Sequence, residues 1–297
     1  MRLKKISLED KPLFDKYLGL SRHSLSVYAF GNIFIWRKLF DIEWALIEKN
    51  LCVFFRDNIG CFQYLAPLGR KITSLVIKEA FCIMDRFNKN KEVSRIENLE
   101  KEDLGLYKNL GYLCREKSCD FLCSRSDLAG LKGDNFKSKR ASYNYFTKHN
   151  DFEVLAYTAR YKEECLDLYQ AWMRQRLSRN ADTLYQGMLK DSLISLKVAL
   201  DNFNDLGYTG IIVKIDGRLK GFSMGYGLNK DIFCILYEFT DLTVKGLAQF
   251  IFREFSCGLK GYNYINIMDD SGLENLKKVK MSYHPVSLIP AYIAKRK

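Results

Sequence analysis

Two kinds of hydrophobic pattern alternate along this chain. Apolar residues spaced three and four apart mark helices, and short apolar or alternating runs between turn residues mark strands. In the first half, "SLEDKPLFDKYLGL" predicts a helix with Ser7 as N-cap and Pro12 in its first turn. "YAFGNIFIWRKLF" predicts a second helix. "IEWALIE" and "LCVFFRD" predict two strands joined by a hairpin turn at "KN", and "CFQYLAPLG" predicts a third, stopped by Pro67 and Gly69. "TSLVIKEAFCIMDRFN" has the helical period. A strand ("VSRIENL"), a helix ("KEDLGLYKNLG") and a strand ("YLCREKSCDFLCS") follow.

The second half repeats this grammar. "SKRASYNYFTKHN", "EECLDLYQAWMRQRL" and "LKDSLISLKVALDNF" predict helices. "TGIIVKIDG", "LKGFSMGYG" and "DIFCILYEFT" predict three strands with tight Gly, Asn and Asp turns. "GLAQFIFREFSCGLKG" predicts a helix stopped by glycine, then come a strand ("YNYINIM"), a helix ("LENLKKVK") and a last strand ("VSLIPAYIA"). Each half therefore orders helices, three meandering strands, helix, strand, helix, strand. A meander running into βαβ units is an α+β fold with a mixed, mostly antiparallel sheet flanked by helices. The order resembles that of the acyl-CoA N-acyltransferase (GNAT) fold, twice in tandem. The expected domains are 1–128 and 129–297, the second carrying the site.

Composition and charge narrow the class. The 297 residues are 47% hydrophobic, which fits a globular chain with room for two cores. Lys and Arg number 47 against 35 Asp and Glu, a net charge of +12. That balance favours anionic partners: nucleic acid, anionic lipid or phosphorylated ligands. The nine cysteines form no CxxC pair, and Cys114, Cys119 and Cys123 lack the partners of a zinc site. A reducing cytoplasm is the expected setting. "MRLKKISLEDK" lacks the apolar region of a secretory signal, and no apolar run approaches the ~20 residues of a membrane span.

Three stretches carry chemistry. In "GDNFKSKRASYNYF", Lys137, Lys139 and Arg140 open a helix on which Arg140 and Asn144 share a face, a pattern suited to phosphate and equally to a solvated basic helix. In "YEFTDLTVKGLAQF", Glu238 stands at a strand end, where a carboxylate can orient an amine or act as a base. The following "TVKGLA" partly matches the pyrophosphate loop of GNAT enzymes through Gly246 and Ala248, with Thr243 where Gln or Arg is usual. In "NIMDDSGLENLKKVKMSYHPV", Asn266, Asp269 and Asp270 lead through Gly272 into a helix with Lys277 and Lys280, then Tyr283. The acids can cap that helix. Equally, the lysines can meet phosphate and the tyrosine can give a proton to a leaving oxygen. None of the three histidines, His23, His149 and His284, sits in a nucleophile motif, and neither metal-ligand spacing nor a Walker-type loop occurs.

In order, "SVYAFGNIFIWR", "YLAPLG", "LKGDNFKSKRASYNYF", "LYQAWMRQR", "LYEFTD" and "YINIMDDSGLENLKKVKMSYHPV" resemble the C-terminal domain family of phosphatidylglycerol lysyltransferases. The last stretch matches best, through Asn266, Asp270, Gly272, Leu276, Lys277, Lys280, Ser282, Tyr283 and Pro285, with Lys277 where Arg is usual. The resemblance implies two tandem GNAT-like domains and aminoacyl transfer from aminoacyl-tRNA to an amine or hydroxyl acceptor. It implies no tightly bound cofactor. Glu238, Asp270 and Tyr283 would be catalytic; Lys137, Lys139, Arg140, Asn144, Gly246, Asn266, Lys277 and Lys280 would bind substrate or phosphate. The multi-span flippase domain of the lipid enzymes is absent from this sequence, so small-molecule, peptide and lipid acceptors all stay open. Acyl-CoA-dependent N-acyl transfer is the alternative donor chemistry, and a non-catalytic module binding RNA or anionic membrane is the alternative without turnover.

Overall fold

The computed structural model describes residues 2–178 and 182–297. They divide into two compact units. The first holds residues 2–120, Asp269–Gly272 and Leu288–Lys297; the second holds Phe121–Met268 and Leu273–Ser287.

In chain order the first unit contains β1 (Lys4–Lys5), α1 (Lys11–Leu18), α2 (Phe30–Phe34), β2 (Asp41–Ile47), β3 (Asn50–Arg56), β4 (Cys61–Gln63), α3 (Ser74–Phe87), β5 (Ile96–Leu99) and α4 (Leu104–Asn109). Strand β6 (Leu113–Ser124) follows. The second unit continues with α5 (Arg125–Gly130), α6 (Lys137–His149), β7 (Phe152–Ala156), α7 (Lys162–Leu177), α8 (Thr183–Asp201), β8 (Thr209–Ile215), β9 (Arg218–Gly227), β10 (Ile232–Thr240), α9 (Leu247–Gly258), β11 (Tyr264–Asn266) and α10 (Glu274–Met281). Strand β12 (Ser287–Lys295) returns to the first.

In the first unit β1 to β4 pair antiparallel in turn, β4 meets β5 in parallel at Gln63 and Ile96, and β5 pairs antiparallel with β12. Helix α3 packs its apolar stripe, Val76, Ile77, Ala80, Phe81 and Met84, into the core with Phe54, Ile96 and Leu99. The β2–β3 hairpin is present, but its turn is Glu48–Lys49, both with positive φ (47° and 63°). Asn50 belongs to β3, and its amide donates to the Ile47 and Glu48 carbonyls, which shifts the turn one residue from the expected "KN". The helix expected over "YAFGNIFIWRKLF" is cut to Phe30–Phe34. Beyond it the backbone continues as tight turns, with Leu39 N–H donating to Trp36.

In the second unit the end of β6 pairs antiparallel with β11, β11 runs parallel to β10, and β10, β9, β8 and β7 pair antiparallel in turn. Sequence pattern missed β7 because it is an edge strand with little burial on either face. Strand alternation separates two cores. On one face Phe146 of α6 and Leu247, Phe250 and Ile251 of α9 cover Val213. On the other, Tyr169 and Trp172 of α7 pack edge-on against Phe239.

Gly246 fixes how α6 meets α9. It caps α9 with φ +83°, and an added Cβ would lie 2.2 Å from the Ser142 carbonyl oxygen and 3.1 Å from the Phe146 Cβ. Only glycine allows that left-handed conformation and that approach together. Gly246→Ala should therefore destabilise the protein by roughly 1–3 kcal/mol, about 2–4 °C in Tm for each kcal/mol, measured by thermal unfolding. An unchanged Tm would refute the close packing of α6 on this loop.

Candidate active site

The site lies in the second unit, where two parallel strands part. β10 and β11 pair only through Ile232–Tyr264, Phe233–Ile265 and Cys234–Asn266. Strand β11 then ends, while β10 continues six residues to Thr240, past a register shift at Ile235–Tyr237 against β9. Beyond Asn266 the chain keeps to β6: Ile267 N–H donates to Phe121 O, and Phe121 N–H to Met268 O. The far half of β10 is thus left without its β11 partner.

Glu238 sits on that far half. As a residue it is partly exposed, yet its Oε2 is screened from solvent and accepts no hydrogen bond. Directly across the β9–β10 ladder is Ser223, fully buried, whose Oγ also has no partner of standard geometry. Burial pushes the Glu238 carboxyl up to about 8, while Lys280, the Ser223 hydroxyl and Lys139 draw it down. Desolvation outweighs these three contributions.

Lys280 is held elsewhere. From α10 its Nζ donates to the carbonyls of Ile267 and Met268, the latter at 3.3 Å, and it lies 6.0 Å from the Phe121 ring. The ammonium thus ties up backbone acceptors just past the point where β11 ends. Met268 reaches its positive φ of 61° because the Asn266 carboxamide oxygen accepts from Met268 N–H at 2.7 Å. Asn266 is fully buried and shapes this bend.

Tyr283 follows α10 and is buried against Phe252, ring centres 4.4 Å apart. Lys139 of α6 holds its Nζ 4.1 Å from the Tyr283 ring centre, a cation–π contact. Burial, then the Glu238 charge, raises the Tyr283 phenol well above its usual range. Burial lowers the Lys139 ammonium, and Glu238 opposes that. Glu238, Ser223, Lys139, Lys280 and Tyr283 therefore form one coupled group, drawn from β10, β9, α6, α10 and the turn after it.

Other expected residues have contacts of their own. The Arg140 guanidinium donates to the carbonyls of Leu131 and Gly133, the latter at 3.0 Å, so it clamps the loop before α6. Lys137 and Asn144 are exposed on α6, and Lys277 is exposed on α10 while Lys280 turns inward, so the two lysines share no cationic face. Asp270 belongs to the first unit, where its Oδ1 accepts from Gly272 N–H at 2.9 Å. Gly246 is taken up by helix packing. In the loop before it, the Asp241 carboxylate accepts from both Thr243 N–H and Thr243 Oγ and pairs with Lys220 at 2.8 Å. A carboxylate already on that amide disfavours a pyrophosphate there. Ser223 was missed because only the strand register places it opposite Glu238. Among the described residues no three His, Cys, Asp or Glu side chains gather as a metal site, and no helix is long and apolar enough to cross a membrane.

Comparison with known proteins agrees with this architecture. A conserved protein of unknown function from Bacteroides thetaiotaomicron is 27% identical over all of both chains, with a TM-score of 0.90. L-PGS from Bacillus licheniformis is 17% identical, with a TM-score of 0.67 over 97% of this chain and 92% of that one. FemX is 8% identical, with a TM-score of 0.56 over 99% and 97%. The fold is thus α+β and tandem GNAT-like. No curated protein gives a significant match. The family model for the C-terminal part of phosphatidylglycerol lysyltransferase matches residues 19–295, and the chain belongs to that family.

Proposed function

We propose that this protein transfers an aminoacyl group from an aminoacyl-tRNA to an amine or hydroxyl acceptor, with the chemistry at Glu238. The observation that carries this reading is the unbonded, solvent-screened Oε2 of Glu238 on the unpaired half of β10. A carboxylate whose protonated form is favoured by burial is a strong base for its type. Family membership supports the aminoacyl class of group.

With an amine acceptor, Glu238 takes one proton from its ammonium. The freed nitrogen attacks the ester carbonyl carbon, forming the C–N bond, and the ester C–O bond breaks. The departing ribose oxygen takes a proton from Tyr283, which regains one from the attacking nitrogen. Lys139, against the Tyr283 ring face, favours charge on the phenol as its proton leaves. Ser223 transfers no proton in this scheme and faces the carboxyl-bearing residue across the ladder. Since the ester is already activated, most of the acceleration comes from placing acceptor and ester together. Acyl-CoA transfer is the weaker reading because Asp241 occupies the loop that would hold pyrophosphate.

The test follows labelled aminoacyl groups from a charged tRNA pool to a mixture of amine, peptide and phosphatidylglycerol acceptors. Glu238→Gln should lower transfer by about 10²- to 10⁴-fold, and the wild-type rate should rise with pH to a plateau near the carboxyl's value of about 8. Transfer by Glu238→Gln at the wild-type rate would sink the assignment.

The same carboxyl sets a stability signature. Its folded value of about 8 exceeds the ordinary carboxyl value of 4.5, so between those limits the native state holds the proton more tightly. Its stabilising contribution is complete below about 4.5 and is lost as pH rises through about 8. Glu238→Gln cannot ionise, so its Tm should match wild type near pH 5 and exceed it near pH 9. A Tm difference that does not change with pH would mean the carboxyl is solvated.

A further inference from the structure

The outer surface of α6 carries a feature the transfer chemistry does not use. Tyr145 is 38% exposed and stacks on His149, one turn later, with ring centres 4.2 Å apart and planes 17° from parallel. The His149 Nδ1 lies 2.8 Å from the Tyr145 carbonyl oxygen. A carbonyl only accepts, so Nδ1 carries the hydrogen and the ring is fixed in the stack. Lys245, from the loop before α9, places its Nζ 4.3 Å from the Tyr145 ring centre. The close approach of Gly246 to Ser142 is what seats that loop on α6.

The surroundings are cationic. Lys148 is exposed beside the pair, and Lys137 is exposed at the start of the same helix, about 12 Å along it from Tyr145 at 1.5 Å per residue. Glu254 accepts from Arg253 and Tyr143, and Asp241 from Lys220 and Thr243, while Asp151, two residues past His149, is exposed. Apart from Tyr145, the exposed positions of α6 are Lys, Ser, Ala, Asn and His. This stretch has no apolar wedge for a lipid surface. Stacked rings flanked by ammonium groups are what unpaired bases and their phosphates require.

We propose that the exposed face of α6 with Lys245 binds the single-stranded end of an RNA. A base stacks on the Tyr145–His149 pair, and the flanking phosphates meet Lys148 and Lys245. This deepens the aminoacyl-tRNA reading and rests on it. A paired duplex would not fit, because its base faces are covered by their neighbours.

The test is anisotropy titration of uncharged tRNA, a blunt RNA duplex and vesicles containing phosphatidylglycerol, at several salt concentrations. Tyr145→Ala should weaken tRNA binding by about 5- to 150-fold, with Tyr145→Phe retaining the wild-type affinity. Lys245→Ala should reduce the salt slope by about 0.7. All three side chains are exposed or partly so, so each variant should keep the wild-type Tm; His149→Ala serves as a second probe of the stack. The proposal falls if Tyr145→Ala and His149→Ala bind tRNA as wild type does. It falls equally if the blunt duplex binds as tightly as tRNA, or if vesicles bind and tRNA does not. Uncharged tRNA has no ester, so this result is independent of Glu238. A normal Tyr145 effect with no Glu238 effect on transfer would overturn the chemistry and leave the surface.

Discussion

The second unit turns on a shortfall of backbone pairing. Strand β11 supplies three residues to β10 and stops at Asn266, while β10 runs on to Thr240. A buried strand with one side unpaired is costly, because each orphaned N–H or C=O away from water loses its hydrogen bond. The protein meets part of that cost with a side chain. Lys280 donates to the carbonyls of Ile267 and Met268 just past the end of β11. Its charge is then fixed near Glu238, whose ionised form it favours. That repair thus places a charge that opposes, without overcoming, the effect of burial on the neighbouring carboxyl.

The first unit meets the same parting of parallel strands differently. Its β4 and β5 pair only at Gln63 and Ile96. Two residues further on, Asn98 adopts a φ of +53° and donates from its amide to the Tyr64 carbonyl, while the Tyr28 hydroxyl donates to Asn98 O. The Gln63 amide turns to Leu65 O. Neutral side chains here bond across the parting strands. Glu97, on the same strand, is buried but ion-paired to Arg95 at 2.5 Å and Lys117 at 2.6 Å. Those cations hold it below its usual carboxylate value despite burial. Glu97 and Glu238 therefore carry opposite shifts: the salt-bridged carboxylate is drawn down, and at Glu238 burial outweighs its neighbouring cations.

Much of this was legible in advance. Helical period and strand alternation found most elements, and the order of elements pointed to the tandem fold. Glu238 and Tyr283 were named from their places near a strand's end and after a lysine-rich helix; β10 in fact runs two residues past Glu238, to Thr240. The misses share a cause. A run such as "LENLKKVK" shows that Lys277 and Lys280 are three apart, but not that Lys280 would find two carbonyls to bond. "SKRASYN" shows a basic helix start, but not that Arg140 would be used on Leu131 and Gly133. Edge strand β7 lacked a buried face and so lacked a pattern.

Local chemistry in the sequence by itself determined the α+β class, the repeated order of elements, the turn residues and the set of ionisable side chains. Those properties depend on neighbours a few residues away, which is the range over which periodicity and capping act. Tertiary structure alone decided which of those side chains meet. The register of β9 on β10 put Ser223 opposite Glu238, and the end of β11 at Asn266 left Glu238 unpaired. The packing of α6 on Gly246 brought Lys245 to Tyr145. Burial, and with it the raised carboxyl of Glu238, is a sum over segments far apart in the chain, so no local pattern could encode it.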